Sequence, residues 1–517
     1  MIMKLKDLNT NHKRPLTGKE YLTSLLDDRQ IYICGERIKD ITIHPAFRNS
    51  IASIAQLYDA LHSSENHDIL CWDTDTNNGG YTHKFFRFAT SSDEIRQQRD
   101  AIAEWSRYSY GWMGRTPDYK AAFCCALGAY PEFYGSFADN AKTWYKHIQE
   151  SCSYFSHAIA NPPIDRHNPT SHFIKIEKET DAGVIVSGAK GMATNSALAH
   201  YNFIVGTARD TENSPDFTFM FIVPMNADGA KLISRTSYEL AASVTSSPFD
   251  SPLSSRFDEN DAILIMDNVF IPWENILIYR EEGSSRSWAV QSGFARLFPL
   301  QACVRFAVKL DFITGLLQKS LECTGVADFR GVQSDLGEVV AWRNLFWSLT
   351  DAMWAEAQPW ENGAYLPNSQ ASQTYHVMAP MAYNKIKKII ETNVTSGLIY
   401  LPSSVRDIKN KELNPYIEKY VRGSNGIEYI ERIKILKLMW DAIGSEFGGR
   451  HELYEINYAG SKDSVRLQCL RHAYSSGNMM KMDNLVEQCL SDYNMSGWTK
   501  PHLHNNKDIN FLDHLLK

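Results

Sequence analysis

HFIKIEKET, His172–Thr180, changes the apolar period of the chain from three or four residues to two, and that change decides the fold. The alternation continues in GVIVSG (Gly183–Gly188), HYNFIVGTA (His200–Ala208), FTFMFIVPM (Phe217–Met225) and AILIMDNVFIPW (Ala262–Trp273), separated by Gly, Asn, Asp and Pro turn signals. A half-buried strand needs that pattern, because its side chains point alternately to two faces. Toward the N-terminus the period is helical in IASIAQLYDALHSS (Ile51–Ser64), SSDEIRQQRDAIAEWSRYSYGW (Ser91–Trp112) and GSFADNAKTWYKHIQESCSYFSHAI (Gly135–Ile159). Toward the C-terminus it is helical again in QACVRFAVKLDFITGLLQKSLECTG (Gln301–Gly325), SDLGEVVAWRNLFWSLTDAMWAEAQ (Ser334–Gln358), APMAYNKIKKIIETNVTSG (Ala379–Gly397) and EYIERIKILKLMWDAIGSEF (Glu428–Phe447). The expected class is therefore α+β, with a mainly helical region over 1–160, a β domain over 161–285 and a helical bundle over 286–517. LFWSLTDAMW and ILKLMWDAI are too apolar to have only one buried face, and burial on both sides fits an oligomer.

Composition excludes several functions. The chain has 517 residues, 44% of them hydrophobic and 22% charged, with a net charge of -7, so it is globular and carries no basic footprint for nucleic acid. No run of about eighteen apolar residues is present, and MIMKLKDLNTNHKRPLTG (Met1–Gly18) lacks a leader's apolar core, so no membrane span is expected and the expected compartment is the cytoplasm. The 9 cysteines are scattered without a Cys-x-x-Cys pair and the histidines show no His-x-x-x-His, so no protein-bound metal is expected. No Gly-x-Gly-x-x-Gly occurs, so a nucleotide would need another architecture than a Rossmann fold.

One motif carries chemistry. In GRTPDY, Gly114–Tyr119, Thr116 suits an N-cap, Pro117 the first helical position and Asp118 the first turn, which sets Arg115 just outside a helix and Tyr119 within it. An arginine beside free backbone N–H groups stabilises an anionic oxygen. Pairing of Arg115 with Asp118 or Asp165, and a core role for Tyr119, are the alternative readings. His157 stands in YFSHAIANPPIDRH at what reads as a helix end breaking into Pro162 and Pro163, at the boundary with the β domain, where clefts form. Arg115, Tyr119 and His157 are thus expected to converge, although His157 could equally be a core residue.

GRTPDY, SHAIANPPIDR (Ser156–Arg166), SGAKGMATNSAL (Ser187–Leu198), MDNVFIPWEN (Met266–Asn275) and GSEFGGRHELYEINY (Gly444–Tyr458), in that order along the chain, closely resemble the 4-hydroxyphenylacetate 3-hydroxylase family. The resemblance implies an acyl-CoA-dehydrogenase-like fold, with an N-terminal helical domain, a middle β-barrel domain and a C-terminal helical bundle. It implies a two-component monooxygenase, in which a separate NAD(P)H:flavin reductase delivers FADH2 and O2 is the co-substrate. A para-substituted phenol, 4-hydroxyphenylacetate, would be hydroxylated ortho to its hydroxyl through a C4a-hydroperoxyflavin. By the same resemblance, Arg115, Tyr119 and His157 contact the phenol and act in catalysis, and Thr207 and Ala208 lie in the substrate loop. The flavin contacts are His157, Ala158, Ile159, Pro163, Ile164, Asp165, Arg166, Thr194, Phe447, Gly448, Gly449 and Arg450. Without the resemblance, Thr194 is a turn hydroxyl, and Gly448 and Gly449 are helix C-cap residues. Other phenols (tyrosine, coumarate, a chlorophenol) remain open as substrates, as does the chemistry of an acyl-CoA dehydrogenase or a CoA-ester dehydratase; the latter needs an iron–sulfur ligand set that adjacent Cys124 and Cys125 cannot space.

Overall fold

The alternating segments form strands of two sheets. In chain order the strands are β1 (Gln30–Ile33), β2 (Glu36–Ile38), β3 (Phe155–Ala158), β4 (Lys175–Thr180), β5 (Gly183–Lys190), β6 (Tyr201–Gly206), β7 (Phe219–Pro224), β8 (Ala230–Ser234), β9 (Ala262–Pro272) and β10 (Ile276–Tyr279). One sheet has six strands in the order β2-β1-β8-β9-β5-β4, the other four in the order β10-β7-β6-β3. In the larger sheet the antiparallel pair of β9 and β5 sets Ile271 against Val184 and Leu264 against Lys190. The computed structural model describes residues 12–164, 167, 169–206, 215–495 and 497–499, and the chain divides into two units, Met1–Ile456 and Asn457–Lys517.

Several features differ from the sequence expectation. The first third contributes strands: QIYICGERI turns through Cys34 (φ 52°) and Gly35 (φ 82°) into the β1–β2 hairpin, and β1 pairs in parallel with β8, Ile31 opposite Leu232. The helical segment expected to run to Ile159 stops at Ser151, because Cys152 takes a left-handed conformation (φ 49°, ψ 41°). The chain then extends as β3 and joins β6 in parallel, His157 opposite Phe203. His157 is therefore a strand residue and not a helix-end residue. Both strands are short, and their partners lie far along the chain, so no local period marks them.

The helices used below are α1 (Arg48–Ala60), α2 (Ser92–Tyr108), α3 (Ala121–Ala129), α4 (Ala138–Ser151), α5 (Phe294–Thr324), α6 (Arg330–Ala355), α7 (Ser369–Val394), α8 (Tyr429–Ile443) and α9 (Glu446–Asn457). Ser91 caps α2 by accepting from the Glu94 N–H at 3.2 Å, satisfying one of the free donors at that end. α5 is the axle of the first unit: it packs on α2, α3, α6, α7 and α8, and it buries Val304, Phe306, Ala307, Leu310, Leu317 and Leu321. The segment expected as one helix over 428–447 is two, because the chain breaks at Gly444 and Ser445 before α9 begins. The second unit contains helices Lys462–Ser475 and Asn478–Ser491 and a hairpin pairing Tyr493–Asn494 with Gly497–Trp498. No helix among the described residues is long and apolar enough to cross a membrane.

Candidate active site

GRTPDY opens a short 3-10 turn, Pro117–Lys120, that runs directly into α3. Thr116 takes the extended N-cap conformation (φ -71°, ψ 165°), but its side chain makes no capping bond to the backbone. It donates to Asp118 Oδ1 at 2.5 Å. Asp118 is 1% exposed, and burial raises its carboxyl to about 6 against the hydrogen bonds from Thr116 and Gln301. Arg115 just before the turn is fixed through its backbone: its N–H donates to Glu259 Oε1 at 2.5 Å, and its carbonyl accepts from the Tyr154 hydroxyl and from Asn195 Nδ2. Its guanidinium lies 4.1 Å from the centre of the Tyr119 ring and 5.2 Å from that of Tyr454. Gly114 leaves room for the Tyr454 ring, since a Cβ there would collide with the Tyr454 hydroxyl.

His157 comes to the same place from the sheet. Its ring centre is 6.1 Å from that of Tyr119, and it stacks on Phe203 of β6 at 5.8 Å and 27°. The parallel register of β3 and β6 makes this stack, because paired residues point to one face. His157 Nδ1 is buried with no hydrogen-bond partner among the described residues. Burial, then Lys120, then Arg115 hold its pKa well below the ordinary histidine value, so the ring is neutral at neutral pH. Phe203 also meets Phe123 at 4.3 Å, Trp288 at 5.8 Å and Phe294 at 6.0 Å, so His157 is backed by a cluster of aromatic rings.

The segments expected at the flavin are joined by a chain of bonds. Ser156 Oγ donates to the Thr194 carbonyl at 2.7 Å, Thr194 Oγ1 donates to Asp261 Oδ1 at 2.6 Å, and Arg450 holds both Asp261 (2.9 Å) and Glu259 (3.0 Å). Burial would raise the Asp261 carboxyl, but Arg450 and Arg235 overcome it and hold it far below the usual carboxylate range. Ala158 is buried, and the Ile159 carbonyl accepts from Lys190 Nζ at 3.0 Å. Pro163 and Ile164 are exposed. In FGGR, Phe447 is buried against Trp112 and His451, and the two glycines fall in the first turn of α9, not at a C-cap. Gly448 has no room for a Cβ, which would sit 2.8 Å from the Ala442 carbonyl oxygen, whereas Gly449 faces open space. Asp165, Arg166, Thr207 and Ala208 lie outside the described residues.

The sequence reading missed Lys120, Phe203, Phe294, Trp288 and Tyr454. Only Lys120 carried a local signal, as a lone charge in the apolar run YKAAFCCALGA.

A scaffold of mixed helix and sheet, with buried basic side chains set among aromatic rings, is the class this chain presents. Residues 17–278 match the model of the 4-hydroxyphenylacetate 3-hydroxylase N-terminal region and residues 285–487 that of the C-terminal region. The chain is 68% identical over 520 residues to the 4-hydroxyphenylacetate 3-monooxygenase oxygenase component of Escherichia coli, covering 100% of both chains. It is 64% identical over 518 residues to the Pseudomonas aeruginosa protein of that name, covering 99% of this chain and 100% of that one. Among solved structures, the oxygenase component of 4-hydroxyphenylacetate 3-monooxygenase complexed with FAD and 4-hydroxyphenylacetate superposes with a TM-score of 0.85 at 27% identity, over 92% of this chain and 99% of that one. The chain belongs to the 4-hydroxyphenylacetate 3-hydroxylase family.

Proposed function

We propose that this protein is the oxygenase component of a two-component 4-hydroxyphenylacetate 3-monooxygenase, converting 4-hydroxyphenylacetate to 3,4-dihydroxyphenylacetate with O2 and with reduced FAD from a separate NAD(P)H:flavin reductase. The observation that carries this reading is the convergence of Arg115, Tyr119 and His157, from a loop, a 3-10 turn and a strand, on one ring-lined pocket. Relatives of that name match along the whole chain.

The residues present fit FAD. An orphaned buried nitrogen on His157 and open space over Gly449 belong to segments that the Ser156–Thr194–Asp261–Arg450 bonds tie together. His157, Ala158, Ile159, Pro163 to Arg166, Thr194 and Phe447 to Arg450 would hold it. Reduced FAD, when bound, supplies the activated oxygen.

The chain's own residues prepare the phenol. A free phenol has a pKa near 10, so about 3 units, roughly 4 kcal/mol, separate it from the electron-rich phenolate at neutral pH. A charge-assisted bond from Arg115 and a hydrogen bond from neutral His157 each contribute on the order of 1 to 3 kcal/mol where water is excluded. Tyr119 orients the hydroxyl. Phe203, Phe294 and Trp288 keep water out, and Thr207 and Ala208 are read as further substrate contacts.

The finer layout we read as acyl-CoA-dehydrogenase-like, the two sheets standing for its barrel between helical regions. A homodimer or homotetramer is supported by the exposed apolar residues Phe329, Val340, Met381, Ile399 and Trp440, and the compartment is read as cytoplasmic.

The test is a coupled assay with a flavin reductase, NADH and a panel of 4-hydroxyphenylacetate, tyrosine, coumarate and a chlorophenol, scoring catechol against H2O2. Catechol from 4-hydroxyphenylacetate is expected; peroxide alone from every phenol would overturn the proposal.

A further inference from the structure

Lys120 has no part in the chemistry described so far. It is 2% exposed, and its Nζ lies 4.0 Å from the centre of the Tyr119 ring and 5.1 Å from those of Phe203 and Phe294. Among the described residues it donates no hydrogen bond and forms no ion pair. Rings replace only part of the hydration that an ammonium loses on burial. Two states relieve the cost: a neutral amine, or an ammonium facing an anion that a ligand brings. Burial, and next the Arg115 guanidinium, hold this amine well below the usual lysine range. In the protein alone the amine is thus drawn toward its neutral, proton-accepting form.

We propose that Lys120 is the proton acceptor for the substrate hydroxyl: the phenol O–H bond breaks, an N–H bond forms on Nζ, the electron pair stays on oxygen, and the new ammonium joins Arg115 as counter-ion to the phenolate. The step moves one proton, needs no further reactant, and rests on the phenol-hydroxylase reading above.

The charged and titratable groups around the amine are Arg115 from the preceding loop, Tyr119 from its own turn and His157 from β3, while Phe203 of β6 and Phe294 of α5 add no charge. His157 is the competing base. Burial and Arg115 disfavour the charged form of both, and an amine binds a proton about 4 units more tightly than an imidazole before either is buried.

The test uses the full chain with reduced FAD under anaerobic conditions, titrated with 4-hydroxyphenylacetate between pH 6 and 9. Difference absorbance reads phenolate, and a pH indicator in weak buffer reads released protons. Wild type is expected to show the phenolate band at neutral pH without releasing a proton. Lys120→Met, apolar and of similar length, is expected to keep its melting temperature and bind the neutral phenol. Its phenolate should appear only toward alkaline pH, and its catechol yield per NADH should fall about a hundredfold. Lys120→Gln is expected to behave likewise. A wild-type phenolate band accompanied by one released proton, no such band at all, or a Met variant that keeps the band at neutral pH would each overturn the role of Lys120. These failures are separable from failure of the parent reading, in which wild type makes no catechol or binds no phenol.

Discussion

Two groups of buried basic side chains lie close together in the first unit, and they are treated oppositely. In one, Arg305 and Lys309 on α5 share the carboxylate of Glu455 on α9: Arg305 Nη2 is 3.0 Å and Lys309 Nζ 2.9 Å from it, and all three side chains are at most 1% exposed. In the other, Arg115 and Lys120 both sit against the Tyr119 ring, and Lys120 meets no carboxylate among the described residues. A matched buried charge holds elements in place; one facing rings is left for a ligand to match. The two are linked, because Tyr454, next to Glu455, has its ring 5.3 Å from the Arg305 guanidinium and 5.2 Å from that of Arg115. The satisfied cluster thus sets a wall of the reactive pocket.

The hardest way to break this contrast is to make the first cluster resemble the second. Glu455→Leu leaves two cations buried without a partner and should cost about 3 to 5 kcal/mol in denaturant unfolding. Adding Arg305→Met and Lys309→Met should recover most of that loss. A single variant within about 1 kcal/mol of wild type would show that the cluster is not what holds α9. The pH dependence has a definite sign. Burial would raise the Glu455 carboxyl, but Arg305 and Lys309 pull it down to about 2, below its ordinary 4.5. Its contribution to stability is complete above pH 4.5 and is lost as pH falls from there through 2.

Removing polar groups around the second cluster, the Arg115 guanidinium or the neutral His157 ring, should act on chemistry instead of stability. Arg115→Ala and His157→Ala are each expected to lower catechol per NADH about a hundredfold, releasing H2O2, while still binding reduced FAD. Unchanged catechol yield in both would refute their roles. Lys190 lies between the two patterns: its Nζ donates to the Ile159 carbonyl, Asn161 Oδ1 and the Val205 carbonyl at 2.7 to 3.0 Å, and burial lowers it to about 7. Lys190→Met should destabilise by about 1 to 2 kcal/mol through the unmatched acceptors. The unfolded chain keeps this proton up to about pH 10.4. The Lys190 contribution should therefore rise with pH from about 7 upward, and that slope should vanish in the variant.

How much of this is legible follows from how local each signal is. β4, β5 and β9 can be read from their alternation to within a few residues, since half-buried strands write period two into the sequence, while β6 and β7, buried along almost their whole length, read as short apolar runs between turn signals. The β1–β2 hairpin and β3 cannot, because each is held by a partner some 40 to 200 residues away. That Arg115 and Tyr119 sit together is legible from GRTPDY, where five adjacent residues fix the turn. The sequence sets His157 near them but on the wrong element. Lys120 directly follows that motif, yet nothing local says that a lysine there turns inward among Phe203 and Phe294; only the packing of β6 and α5 decides it.

The mildest test separates a ring from its hydroxyl. Arg115 and Lys120 contact the face of Tyr119, at 4.1 and 4.0 Å from its centre, and His157 lies 6.1 Å away, so the ring is the surface on which the pocket's cations are arranged. Tyr119→Phe keeps that surface, and most of the cation–π attraction comes from the ring itself. The substitution removes the hydroxyl that orients the substrate, a hydrogen bond worth about 1 kcal/mol. Catechol yield should therefore fall less than about tenfold, chiefly through KM. Complete loss of catechol in a folded Tyr119→Phe enzyme would mean that the hydroxyl takes part in proton transfer, and the assignment of that proton to Lys120 would have to be redrawn.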